Sequence, residues 1–408
     1  MIIDKNRNIN LGYALTAINN AFFWYAPWLL FVYQYIDIKQ ATLLQLIGLI
    51  TRVLTEIPTG AVADLIGKKK TLIVAFLLTA VGEIVMSFSS TFGQFVIVYV
   101  IVALGYSFYS GTIDAFLYDS LVEHKEESRY PTILGRSNTI ASISTAFATI
   151  VGGFLFQYWA GLPFLITGLT KFVGVGISLL VTEPKVDTFV FSTKNFFRQT
   201  ALGFKHLFRK DMVRYTLLLI LLGSCSTVAY EILDDVAVVD WGYTATGISI
   251  LYTALIILSI PSGLLYDRIS KKVKPLVLIA GGVLILGINY LLSPLINVFV
   301  WTTIFLIRVV YSPIKQSAVT EMINSNVASN IRATTLSTYE LVIRLPFVIF
   351  GVLIGTVMKD IGVKSFSVIF SATLLLLFLI YLIITLTIRF YNEKNQKPPE
   401  KEVLNKVK

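Results

Sequence analysis

The chain is poor in the residues on which most soluble enzymes build their chemistry. Its 408 residues include one cysteine, Cys225, so no disulfide forms within the chain and cysteine usage is silent on redox compartment. The two histidines, His124 and His206, fall in separate loop segments, which argues against a histidine-rich metal or catalytic centre. Charge is scarce as well. Only 14% of residues are charged, where a soluble domain carries about a quarter. No nucleotide-binding loop is present: GKKKT at 67–71 lacks the upstream glycine and the hydroxyl residue directly after its first lysine. No cofactor and no metal are expected.

What the chain has in plenty is apolar sequence, 55% of all residues, with a mean hydropathy of +0.75. Runs of about 20 apolar residues, long enough for a ~30 Å hydrocarbon core, recur at 11–36, 42–66, 71–90, 94–121, 131–158, 161–182, 213–239, 244–266, 275–293, 297–321, 333–357 and 365–390. These are numbered here as spans 1 to 12. The first begins with no small-residue cleavage site, so it reads as a membrane span and not a removable signal.

The net charge of +10 sits in short loops between the runs, not on one basic face, which argues against nucleic acid as a partner. Lysines and arginines crowd into the loops after spans 2 and 8 and into the central segment. The opposite side holds only Lys39, Lys359 and Lys364. That asymmetry places both termini in the cytoplasm of a multi-pass cell-membrane protein.

The chain repeats itself. IPTGAVADLIGKKK at 57–70 returns as IPSGLLYDRISKKVK at 260–274, and an offset of 203 lays Pro58 on Pro261, Gly60 on Gly263, Asp64 on Asp267 and Lys68 on Lys271. The same offset lays Arg129 on Arg332 and Gly152 on Gly355. One register serving two regions predicts a duplicated architecture. The expected organisation is an all-α membrane protein with a six-helix bundle at 1–182, a central loop at 183–212, a second bundle at 213–390 and a disordered tail at 391–408. In the central loop, Phe196, Phe197, Leu202, Leu207 and Phe208 alternate with Arg198, Lys205, Arg209 and Lys210, the pattern of a basic amphipathic helix on the inner leaflet.

Twelve spans around a basic central segment, with GAVADLIGKKK between spans 2 and 3, resemble the major facilitator superfamily. Its signature runs roughly Gly-x-x-x-Asp-x-x-Gly-Arg-Arg/Lys-Arg/Lys, matched by Gly60, Asp64, Gly67, Lys68, Lys69 and Lys70 with lysine for the first arginine. TEIPTG and SGTIDAFLYDS (110–120) look like a prokaryotic group of multidrug or unassigned-substrate type. The resemblance implies two bundles that alternate access to a central site, and spans 1, 4, 7 and 10 lining it. It also implies that Asp64 meets the start of span 11 near 333–335 and that Asp267 meets the start of span 5. Lys68 and Lys69 are expected to reach Asp119 or Glu123, with Lys271 in the second copy, in contacts that break when the cytoplasmic side opens. Three departures stand out: no arginine in span 4, no acid in span 1, and Ala148 and Thr149 before Gly152 and Gly153 where antiporters resemble one another in a Gly-Pro pair.

Charges inside the spans are costly, about 2.5–3.5 kcal/mol each on insertion scales, and mark candidate sites. Asp114 in span 4 is the first choice for a protonatable or cation-contacting carboxylate. Glu56 is the second, with Arg52 four residues before it as a partner on the same helix face. Arg308 in span 10 is expected to hold an anionic group or tune Asp114. Glu340 and Arg344 repeat the four-residue spacing in span 11. In span 1, Asn19, Asn20 and Tyr25 stand where an acid is absent. Glu83 and Lys171 are expected to form a structural bridge away from the substrate path. Glu231, Asp234, Asp235 and Asp240 at the end of span 7 read as a solvated outer mouth.

The functional expectation is a monomeric secondary transporter, not an enzyme, moving a small organic solute with protons as coupling ion. Efflux of amphipathic or cationic compounds is favoured over uptake of a polar or anionic nutrient. A membrane-embedded enzyme lacks a convergent nucleophile, and a receptor that no longer transports is the remote alternative.

Overall fold

A computed structural model describes residues 6–185, 193–209, 212–327 and 332–395. The described residues are helical throughout, without strands. Span 1 is broken. Helix α1 (Arg7–Asn19) ends before NAFFWYAP, and a short α2 (Trp28–Val32) resumes, where a continuous span is expected from hydropathy alone. Helices α3 (Ile38–Ile66), α4 (Lys68–Phe88), α5 (Phe92–Val122), α6 (Tyr130–Tyr158) and α7 (Leu162–Leu180) follow as spans 2 to 6. Helix α8 (Thr193–Leu207) occupies the central segment.

Span 7 is α9 (Val213–Val228), a single π-helical turn (Ala229–Leu233) and α10 (Asp234–Asp240). Helices α11 (Ala245–Ile269), α12 (Pro275–Leu291), α13 (Val298–Asn326), α14 (Arg332–Ile361) and α15 (Val363–Asn395) complete the chain. Helix α15 runs on to Asn395, into the tail expected to be disordered; residues 396–408 lie outside the described set. By length and composition, nine helices among the described residues can cross a membrane. The broken first span and α3, which carries Arg52, Glu56 and Asp64, are not among them, and α12 is shorter at 17 residues.

Local chemistry explains the helix starts. Asp37 caps α3 and Thr91 caps α5, each in a reciprocal box with a glutamine three residues on. Proline opens α6, α7 and α12, where its missing N–H costs nothing. Gly67 takes φ +91° in the turn between α3 and α4, a conformation open to glycine.

Helices α1–α7 pack on one another, chiefly α4 on α5 and α7 and α3 on α5, and α9–α15 do the same through α12, α13 and α15. The two sets meet along α6–α11, α3–α14 and α2–α10. Those meetings lie at the face away from the termini. There a Cβ on Gly153 would meet Ser249 Oγ at 2.4 Å, one on Gly355 would meet Thr42 at 2.8 Å, and Lys359 bonds Asp37 at 2.8 Å. At the face that bears the termini, Arg136, Asp267, Lys271 and Ser337 are exposed. The two sets close on each other at the face away from the termini.

Candidate substrate cavity

Between the two sets lies a cavity of about 680 Å³. Its wall is aromatic and acidic: Phe22, Trp24, Tyr25 and Trp28 from the break in span 1, Tyr99 and Tyr106 from α5, Tyr252 from α11, with Glu83, Glu231, Asp234 and Asp235 among them. Arg52 is the cation in the wall. A second cavity of about 310 Å³ shares Tyr230 and Glu231 with the first and adds Lys315, Glu340 and Arg344.

The π turn accounts for much of this geometry. One extra residue per turn shifts the register of span 7 at Tyr230 and Glu231, and such bulges are frequent at functional sites. It presents Glu231, Asp234 and Asp235, spaced three and four apart, on one face. These acids are not the solvated helix end that composition suggests. Asp234 accepts from Tyr290 Oη and pairs with Arg308 at 2.6 Å, the guanidinium lying 5.0 Å from the Phe305 ring and 5.5 Å from that of Tyr290. Asp235 accepts from Trp28 Nε1 at 2.7 Å and from Tyr252 Oη. Among the described residues no cation pairs with Asp235.

Glu231 pairs with Arg52 of α3 at 3.6 Å. The expected Arg52–Glu56 pair is therefore replaced by one between helix sets. Glu56 is exposed and does not line the cavity.

The break in span 1 is held by a buried lysine. Lys171 of α7 is wholly buried, and its ammonium donates to the carbonyls of Ile18 (3.0 Å) and Asn19, the electronegative end of α1. It lies 4.6 Å from the Phe22 ring and 5.7 Å from that of Tyr106. Glu83 accepts from Tyr106 Oη at 3.1 Å and lines the cavity. The expected Glu83–Lys171 bridge away from the substrate path is thus corrected on both counts: the two form no direct ion pair, and Glu83 faces the path. The carbonyls freed by the break take the lysine instead. Thr167 Oγ1 accepts the Phe23 N–H at 3.1 Å, and Thr145 donates to the Asn20 carbonyl at 3.0 Å.

Other expected site residues scatter. Asp114 is exposed, lines neither cavity and is not the partner of Arg308, which Asp234 takes. The Asn20 amide donates to Thr16 at 2.9 Å, and Asn19 is buried; neither reaches the cavity. Tyr25 does, with its ring 6.0 Å from that of Tyr252. Glu340 and Arg344 lie 3.8 Å apart in the second cavity.

In the signature turn, Lys68 pairs with Asp119, while the Lys68 and Lys69 N–H groups donate to Glu183 at 2.7 and 2.8 Å. All four residues belong to α4, α5 and the segment after α7. The Lys68–Asp119 contact joins elements of one helix set. Glu183, a carboxylate at the start of α4, was not foreseen; its place directly after span 6 was the available signal. The side chains of Gly60 and Asp64 fall outside the described residues. Asp267 and Lys271 are exposed and make no ion pair among the described residues.

The sequence model of the Major Facilitator Superfamily matches residues 9–351. The chain belongs to this superfamily. It is accordingly an integral, multi-pass membrane transporter. Among solved structures, the superfamily fold is shared with the nucleoside transporter NupG at TM-score 0.73 and 13% identity, covering 93% of this chain and 98% of that one. A peptide transporter POT in complex with sulfate aligns at TM-score 0.69 and 14% identity, covering 95% and 99%. A POT family transporter in complex with 5-aminolevulinic acid aligns at 0.65 and 14%, covering 94% and 95%. Comparison with curated proteins finds no match in sequence. At these identities the likeness concerns the fold.

Proposed function

We propose that this chain exchanges protons for amphipathic organic cations and exports them, with both termini cytoplasmic and the described arrangement open inward. The observation that carries the reading is Asp235, a buried acid held by an indole and a phenol, with no cation beside it among the described residues. A lone charge at membrane depth is expensive, so a proton or a substrate cation gains by cancelling it. Both cannot do so at once, which makes exchange the natural coupling. The ring faces of Tyr25, Trp28, Tyr99, Tyr106 and Tyr252 add cation–π attraction for the substrate.

The structural neighbours include a nucleoside transporter and a peptide transporter, so the fold does not select the cargo; the wall chemistry does. Uptake of a polar or anionic nutrient remains the second reading, favoured by Lys315 and Arg344 in the smaller cavity.

The test is flux in proteoliposomes, with tetraphenylphosphonium as probe and an imposed pH gradient. An acidic lumen is expected to drive accumulation, and Asp235→Asn to abolish it. Accumulation only with an alkaline lumen would favour symport, and no gradient-driven flux at either polarity overturns the reading.

A further inference from the structure

We infer that Arg52 is a tethered competitor of the substrate, its guanidinium holding on Glu231 the place that the substrate's positive group takes during transport. The inference rests on the cationic reading of the cavity and goes beyond it by naming the contact that a substrate must break.

Two ion pairs belong to this cavity, and they differ in kind. Arg308 and Asp234 lie 2.6 Å apart, both nearly buried (12% and 14% exposed), with two aromatic rings against the guanidinium. Arg308 is not part of the cavity wall. That pair is permanent. Arg52 and Glu231 lie 3.6 Å apart, longer than the ~2.8 Å of a well-formed charged hydrogen bond. Glu231 is 12% exposed but Arg52 is 47% exposed, and both line the cavity. A guanidinium half in the open cavity can swing away at little cost, while the carboxylate stays where the π turn sets it.

The arrangement also explains why the empty carrier tolerates Glu231. A buried acid with no partner is strongly destabilising, and Arg52 removes that penalty until a ligand arrives. Arg344, which lines the second cavity together with Glu231, is already engaged by Glu340. A neutral ligand leaves the Arg52–Glu231 pair intact. A cationic one replaces it, and in doing so unties α3 from span 7, one of the contacts that join the two helix sets. Arg52 thereby discriminates by charge, and it links occupancy to the freedom of the two sets to move.

Tetraphenylphosphonium binding to the purified full-length chain in detergent tests this, using Arg52→Gln, Arg52→Lys, Glu231→Gln and the Arg52→Gln/Glu231→Gln double variant, with thermal unfolding as the check on folding. Arg52→Gln is expected to tighten binding about tenfold, between the worth of an exposed and a buried pair, and Arg52→Lys to stay near wild type. Removing Arg52 in the Glu231→Gln background is expected to bring no gain. On the wild-type chain, ligand should raise phenylglyoxal modification of Arg52, read by mass spectrometry, because the guanidinium is set free. Unchanged or weaker binding by a folded Arg52→Gln, or unchanged or reduced modification on ligand addition, overturns the competitor role and leaves the cationic reading standing. Absence of binding by wild type and both Arg52 variants overturns the two together.

Discussion

Lys171 and Ile18 are 153 residues apart in the chain, yet the lysine ammonium donates to the isoleucine carbonyl at 3.0 Å. That bond, with its neighbour to Asn19, closes the end of α1 and lets Phe22, Trp24 and Tyr25 turn into the cavity. Main chain can leave the helix at membrane depth only where protein supplies the missing partners.

Lys171→Met is accordingly expected to leave the Asn19 carbonyl unpaired, at a cost of about 1–3 kcal/mol, and the Ile18 carbonyl with only the Ala21 N–H. The melting temperature of the purified protein should fall and flux should fall with it. A melting curve like that of the wild type would show that other groups hold the break.

Gly152 faces the same break from α6. A Cβ there would sit 1.6 Å from the Phe23 carbonyl oxygen, which is main chain and has nowhere to go. Gly152→Ala is expected to destabilise by at least the ~1–3 kcal/mol of an overpacked core. Gly135→Ala on the same helix, with open space around it, should cost far less. Equal yields and melting temperatures for the two variants would contradict the contact.

Arg308 and Asp234 should behave as a unit. Arg308→Met alone strands a buried acid, a loss of about 3–5 kcal/mol, whereas Arg308→Met with Asp234→Asn should recover most of it. A double-mutant cycle of thermal or denaturant unfolding measures the coupling; strictly additive losses would rule out the pairing.

At the closed face, Asp37 meets Lys359 across the two helix sets. Desolvation pushes the Asp37 carboxyl up, but the hydrogen bonds from Lys359 and from the Gln40 N–H outweigh it and hold the carboxyl below its ordinary value. A carboxyl lowered in this way contributes fully above its ordinary value and loses its contribution as pH falls through the lowered one. The tie should therefore hold at neutral pH and loosen in acid. Thiol labelling of a cysteine placed at Thr42, behind the tie, is expected to quicken in Asp37→Asn and in high salt. The charge-exchanged pair Asp37→Lys with Lys359→Asp should slow it again. Labelling indifferent to all of these would mean that helix packing alone closes the face.

Much of the architecture can be read from the letters alone. Apolar runs of bilayer length, the lysine asymmetry and the repeated IPTGAVAD and IPSGLLYD turns led to an all-helical membrane protein of this superfamily, because partitioning into lipid depends on composition along each segment and little on its neighbours. Tyr25 and Arg52 of the proposed site were legible for the same reason, being polar or charged groups at membrane depth in a single helix.

Tertiary structure decided what those groups do. Glu83 reads as a remote tie until packing sets it in the cavity wall beside Tyr106, and Asp235 reads as a wet helix end until Trp28 and Tyr252 close over it. Asp114, prominent in sequence, falls to an exposed face. Hydropathy reports how deep a residue sits in the bilayer, and periodicity which side of its own helix it occupies. Which helix stands opposite is a matter of packing: the lysine that caps a broken end, the π turn that shifts a register, the glycine that lets two backbones meet. Those contacts join residues far apart in the chain, so no local pattern records them.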